Sequence, residues 1–330
     1  MRPTRNQIVY TVLGLSTVTT AISCSQTGEP LERTGDEIIV AGQLFHTGTP
    51  VVLWLDPGGY DAYRARRHFE PDEYMPAHPA DPGNPNRYNQ RSPVSDELEA
   101  KVEQEGWALD NLRQQIDQFV YHYDACGTSA RCFKVLQDLR GLSVHFMLDL
   151  DGTLYQTLDL KERAWHAGQA NGRCVGVEIA NIGAYRQEKK STLDEWYARD
   201  EQGPYVVFPD SLPPEETWLR TPGFVARPSR KELISGRING SDLFQYDYTD
   251  EQYAALIKLT AALARIFPKL TLDAPRNPDG TIRMDVFSAE ELEAYHGFMG
   301  HQHVTKAKVD PGPAFNWERI IRGARRELGW

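Results

Sequence analysis

The stretch Val175-Gly-Val-Glu-Ile-Ala180 alternates without a break, with Val175, Val177 and Ile179 on one side and Glu178 on the other. A strand with that pattern requires apolar packing on one face and carries a carboxylate on the other. Its surroundings show which architecture can supply both. Phe119–Tyr123 reads as a strand, and a helix is predicted from about Ser129 to Leu139, with Cys132, Leu136 and Leu139 on one face and Gly141 as its stop. Ser143–Leu148, the turn Asp149-Leu-Asp-Gly152 and Thr153–Gln156 read as a hairpin. Thr249-Asp-Glu-Gln252 is a capping box that opens an amphipathic helix to about Ile266, just before Pro268. Strands and helices alternating in this way predict an α/β class: one mixed central β-sheet flanked by helices.

Two regions interrupt the alternation. Residues 184–248 are rich in Pro, Gly and charge and read as a long insertion, and residues 270–288 as a second loop. Upstream, the segments beginning at Glu37 and Thr49 look like strands, 56–93 like an extended loop, and Ser95 to Gly106 like a capped helix. The expected division is a leader over 1–24, an N-terminal appendage and loop over 25–106, and the main domain over 107–330.

Composition narrows the function. The 330 residues are 40% hydrophobic and 25% charged, with a net charge of −10, which suits a globular fold. Nucleic acid is excluded as a partner, because phosphate binding needs clustered Lys and Arg and no basic stripe occurs.

The leader carries Arg2 and Arg5 ahead of an uncharged run from Ile8 to Ser23. That run is short for a membrane span and suits a signal peptide. Ala21-Ile-Ser-Cys24 resembles a bacterial lipobox, with Ala21 where Leu is usual; it implies lipidation of Cys24 and membrane contact only through that anchor. Ser25 after the Cys resembles lipoproteins sorted to the outer membrane, so the expected location is the cell envelope, on the periplasmic side. An ordinary secretory signal cleaved nearby is the alternative. In such an oxidising compartment Cys126 and Cys132 are able to pair, leaving Cys174 alone.

Three groups of residues carry chemistry. His122 ends a strand, Arg163-Ala-Trp-His-Ala-Gly168 follows the hairpin with Asn171 close behind, and Gly300-His301 precedes Lys308-Val-Asp310-Pro-Gly. Each has an ordinary explanation, since a strand His is more often a hydrogen-bonded structural residue and Asp-Pro-Gly a turn. No local zinc spacing joins them. His46, His68, His78, His145, His296 and His303 read as structural or surface residues.

In order along the chain, however, these groups resemble the zinc N-acetylmuramoyl-L-alanine amidases of bacteria and phages, whose fold is shared by the peptidoglycan recognition proteins. The resemblance runs from about residue 115 to 317. It implies zinc held by His122, His301 and Asp310, with Glu178 as the catalytic carboxylate and Lys308 beside the reacting carbonyl. It also implies that Trp165, His166 and Asn171, in the motifs Ala164-Trp-His-Ala-Gly168 and Asn171-Gly-Arg-Cys-Val-Gly-Val-Glu178, contact peptidoglycan or muropeptide, with shaping of the groove as the other reading of His166 and Asn171. The two cysteines after His122 resemble those of the recognition proteins, many of which lack the third ligand and bind without cutting. The expected activity is hydrolysis of the muramic acid–L-alanine amide by zinc-activated water. The rival readings are a non-catalytic peptidoglycan-binding module and a structural envelope protein.

Overall fold

Apolar alternation on several segments is satisfied by one six-stranded sheet. The computed structural model describes residues 27–64, 66–67 and 86–330; the leader with Cys24, and also His68 and His78, lie outside the described residues. Residues 34–330 belong to one unit. In chain order its strands are β1 (Glu37–Val40), β2 (Gln43–His46), β3 (Val51–Leu53), β4 (Tyr88–Gln90), β5 (Gln118–Tyr123), β6 (Phe146–Leu148), β7 (Leu154–Gln156), β8 (Glu162–Ala164) and β9 (Cys174–Ile179). They continue with β10 (Tyr197–Asp200), β11 (Gly203–Val206), β12 (Ile234–Ile238), β13 (Ser241–Gln245) and β14 (Gly297–Gly300). The helices are α1 (Asp96–Glu105), α2 (Leu109–Gln115), α3 (Ser129–Phe133), α4 (Thr192–Trp196), α5 (Asp250–Ile266), α6 (Ala289–Ala294), α7 (His301–Val304) and α8 (Trp317–Leu328). The class is the α/β one that the alternation predicts.

The central sheet has the order β14-β5-β9-β6-β7-β3. Its pairs are parallel except β6 with β7, the predicted hairpin. One face carries Phe119, Tyr121, Phe146, Leu148, Val175, Val177, Ile179 and Phe298, and packs with Tyr253, Leu256, Leu259 and Leu263 of α5 and Ile320, Ile321 and Ala324 of α8. α5 begins at the expected capping box, Thr249 with Gln252, and ends at Ile266 as predicted. The opposite face carries Val120, Met147, Cys174 and Met299 together with His122 and Glu178.

Two expectations change. The helix predicted from Ser129 widens partway along: α3 passes into a π-helical segment, Lys134–Arg140, before Gly141 stops it with φ 65°. The wider turn rotates Leu139 off the face of Cys132 and Leu136, and it stands 62% exposed. The second change concerns residues 25–106. β3, placed by sequence in an appendage, is the edge strand of the central sheet beside β7, and β4 pairs with β8. Buried Gln156 ties in β1, accepting from Ile39 N–H at 2.7 Å and donating to Ile39 O at 2.8 Å. The 184–248 insertion is built mainly of the hairpins β10–β11 and β12–β13.

No helix among the described residues is long and apolar enough to cross a membrane. Replacing Gln156 by Leu keeps the side chain's bulk but orphans the amide and carbonyl of Ile39. The expected loss is about 1–3 kcal/mol, read as a lower urea midpoint with an unchanged slope.

Candidate metal centre

β5 and β9 run in parallel with His122 directly opposite Glu178, and Met147 of β6 opposite Glu178 on the other side. Residues in register share a face, so the strand parity that buries Val177 and Tyr121 aims His122 and Glu178 together at the other face. β14 lies beside β5, and His301 opens α7 immediately after it. Asp310 comes from the following loop, whose Asp310 O accepts from Gln302 N–H. The tip of the β12–β13 hairpin braces that loop: Asn239 Nδ2 donates to Gln302 O and to Lys308 O at 3.0 and 2.8 Å. Behind it, Gln245 Nε2 and Tyr248 Oη donate to Pro311 O.

The three expected ligands meet. His122 Nδ1 stands 2.9 Å and His301 Nδ1 3.1 Å from the same oxygen, Asp310 Oδ2, and all three residues are buried. Their donor atoms lie within 4.8 Å of one another, close enough to share one ion. Two imidazoles and one carboxylate suit zinc with a position left open. Glu178 Oε1 is 4.0 Å from His122 Nδ1, while the buried Glu178 Oε2 has no hydrogen-bond partner among the described residues. An orphaned carboxylate oxygen beside three convergent donors is the arrangement a metal and its reacting water would complete.

Electrostatics follow from this crowding. Burial, and next the neighbouring His301, hold the His122 imidazole down at about 4, against the pull of Asp310. For Asp310 burial acts upward, but the neighbouring His301 and the bonds from both histidines hold it far below the ordinary carboxylate range. Burial and then the neighbouring Asp310 push Glu178 up, with Lys308 opposing. His122, Glu178, His301, Lys308 and Asp310 line one cleft of about 250 Å³ together with Tyr123, Arg140 and Trp165.

The loop of His166 gives this cleft two side chains, Trp165 and His166, while Asn171 turns inward. Trp165 lines the cleft and donates its indole N–H to Asn89 Oδ1 at 3.0 Å. Asn171 is buried, and its Oδ1 accepts from the backbone N–H of His166 and of Ala167 at 3.2 and 2.7 Å. It shapes the loop instead of offering that oxygen to substrate. His166 lies against His122, with Nδ1 2.9 Å from His122 Nε2, in space that only a glycine at 176 leaves open. Cys126 and Cys132 also line the cleft. They are free, buried thiols in this structure, not a bridge.

Residues that the motifs did not single out complete the surroundings. Buried Arg91 reaches across from the segment before α1, donating to Leu160 O, Asn171 O, Gly172 O and Cys174 O. Burial lowers its guanidinium to about 10. His145 takes the N–H of Gly176 on Nδ1, and its Nε2 faces Glu162 O. Arg91 sits in a run of Pro, Asn and Arg without periodicity, so nothing local marks it. Elsewhere, Asp36, Glu37 and His46 form a second group with close ligand atoms, but their carboxylates are taken up by Thr34, the amides of Gly35 and Gly48, and His46 itself.

Residues 112–217 match the family model described as "N-acetylmuramoyl-L-alanine amidase". The match includes His122, His166 and Glu178 and ends before His301, Lys308 and Asp310. Among solved structures, a selenomethionine AmpD derivative is similar at 17% identity and TM-score 0.33, over 75% of this chain and 91% of that one. The Escherichia coli amidase AmiD, described in complex with anhydro-N-acetylmuramic acid-L-Ala-D-gamma-Glu-L-Lys, is similar at 16% identity and TM-score 0.33, over 63% of this chain and 57% of that one. The Clostridium intestinale amidase LysC is similar at 15% identity and TM-score 0.33, over 66% and 88%. No curated protein matches.

A Cβ on Gly176 would stand 2.3 Å from His166 Cε1 and 2.6 Å from its Nδ1. Gly176→Ala is therefore expected to displace the ring at a cost of about 1–3 kcal/mol, measured by denaturant unfolding of the two proteins side by side.

Proposed function

We propose, on the premise that residues 112–217 belong to the N-acetylmuramoyl-L-alanine amidase family, that the chain is a zinc-dependent enzyme. It hydrolyses the amide between N-acetylmuramic acid and L-alanine in peptidoglycan or its muropeptides. The observation that carries this reading is the convergence of His122 Nδ1, His301 Nδ1 and Asp310 Oδ2 beside the unpartnered Glu178 Oε2.

His122, His301 and Asp310 would hold the ion. Bound there, zinc would supply Lewis-acid polarisation of a water and of the scissile carbonyl, and positive charge that favours the ionised form of Glu178. Glu178 Oε2, free of any protein donor, takes the proton of the attacking water and returns it to the departing L-alanine nitrogen. Lys308 presents an ammonium to the oxygen that becomes negative as water adds. It has no side-chain partner among the described residues that would compete for that charge. Trp165 and Tyr123 give the cleft aromatic walls on which a sugar or peptide can rest.

Purified cell-wall sacculi, digested with and without a chelator, test the reading. Peptides with a free L-alanine amine should be released, and the chelator should stop their release. Glu178→Gln keeps shape and hydrogen-bonding reach but lacks the proton acceptor, so zinc content and sacculus binding should hold while the rate falls roughly 10²–10⁴-fold. A variant that cuts at the wild-type rate would take Glu178 out of the mechanism; a wild-type protein that binds sacculi without cutting would make the chain a binding module. Elemental analysis of His301→Ala should show most of the zinc gone, since three protein ligands barely suffice for such a site.

A further inference from the structure

His122 touches a polar group with each ring nitrogen. Nδ1 faces Asp310 Oδ2 at 2.9 Å, and Nε2 faces His166 Nδ1 at 2.9 Å. His166 is equally committed: its Nε2 stands 3.5 Å from Cys174 Sγ. The four side chains therefore form one line, Asp310–His122–His166–Cys174, running from the cleft into the interior, where Cys174 is fully buried.

A neutral imidazole carries one N–H, so each ring donates from one nitrogen and accepts at the other. A His122 that offers the Nδ1 lone pair to an ion must carry its proton on Nε2. That N–H needs an acceptor, and among the described residues the one facing it is His166 Nδ1. His166 must then hold its own proton on Nε2, where Cys174 Sγ is the available acceptor. Both hydrogen bonds inward of Nδ1 are satisfied in that direction, with both rings neutral, and Nδ1 and the Asp310 oxygen are left as two acceptors for an ion.

We propose that His166 is a positioning residue for the metal centre: it receives the Nε2–H of His122, and backed by Cys174 it fixes the ring and tautomer that present Nδ1. The inference rests on the zinc reading of His122. The surroundings are built for such a role. The amides of His166 and Ala167 are pinned by Asn171 Oδ1. Arg91 fastens the backbone on both sides of the loop, at Leu160 and at Asn171, Gly172 and Cys174. Gly176, on the same face of β9 as Glu178, leaves the room the ring occupies. Ligating histidines are held in this way by an outer partner on the second nitrogen, and loss of that partner weakens metal binding about 10–100-fold.

The test uses the full chain and three proteins: wild type, His166→Phe, which keeps a ring without nitrogens, and His166→Gln, which restores an acceptor. Zinc affinity is measured by competition with a chromophoric chelator, and the tautomers of His122 and His166 by 15N NMR of the imidazoles. Expected are about 10–100-fold weaker zinc binding for His166→Phe, recovery of most of that loss in His166→Gln, and Nε2–H on both rings in the zinc-loaded wild type. Equal zinc affinity in wild type and a folded His166→Phe would overturn the proposal. So would a zinc-loaded wild type with the His166 proton on Nδ1, an observation that requires no variant to fold. A wild type that takes up no zinc would instead remove the metal reading. The contact would then be judged in the metal-free proteins, where an unchanged His122 Nε2 resonance in both variants would overturn it.

Discussion

The register of β5 against β9 is the constraint on which the centre depends. Because side chains alternate strictly along a strand, sliding one of these strands by a single residue would exchange its two faces. Phe119 and Tyr121, or Val175 and Val177, would then face the cleft, and His122 or Glu178 the core. The apolar packing against α5 and α8 therefore does more than stabilise the domain, since the same contacts hold a histidine and a carboxylate side by side in a partly dry cleft. Core and chemistry are opposite faces of one pairing, and neither can shift alone.

From that sheet the remaining groups are brought in by segments that have no strand register to guide them, and each is secured by buried polar contacts. The loop bearing Lys308 and Asp310 is braced from outside by Asn239, at the tip of a hairpin within the 184–248 insertion, and from behind by Gln245 and Tyr248. The His166 loop is fastened by Arg91, a buried cation whose hydrogen bonds go to main-chain carbonyls and to the region of His145. Regions that look dispensable by composition thus supply the rigidity that a metal centre requires of its loops.

What the sequence made legible follows the range of the forces involved. Strand alternation, the capping box at Thr249 and the stop at Gly141 are local, and the corresponding elements formed where expected. The three convergent donors were legible only through ordered motifs, because no periodicity links His122 to an aspartate 188 positions away. Three features were out of reach. The π-helical widening that turns Leu139 outward depends on the packing of the whole helix, not on its own residues. The place of Val51–Leu53 at the edge of the sheet depends on β7, a hundred residues downstream. Asn171 sits in a motif that suggests the substrate groove, yet its side-chain oxygen is taken by the loop's own amides; residue type alone does not say which way a side chain faces.

The separation of the donors also bears on how the molecule comes together. His122 and Asp310 stand 188 positions apart, with β6, β7, β9, the insertion hairpins and α5 between them in the chain. Contacts of that span lower the folding rate. An ion that binds only where they are complete adds its binding free energy to the native state and not to partly assembled ones. Metal supply would then act on the protein's lifetime as well as on its chemistry: chains short of metal would open more often and present Cys126, Cys132 and Cys174 to oxidants and proteases, while loaded chains would stay shut.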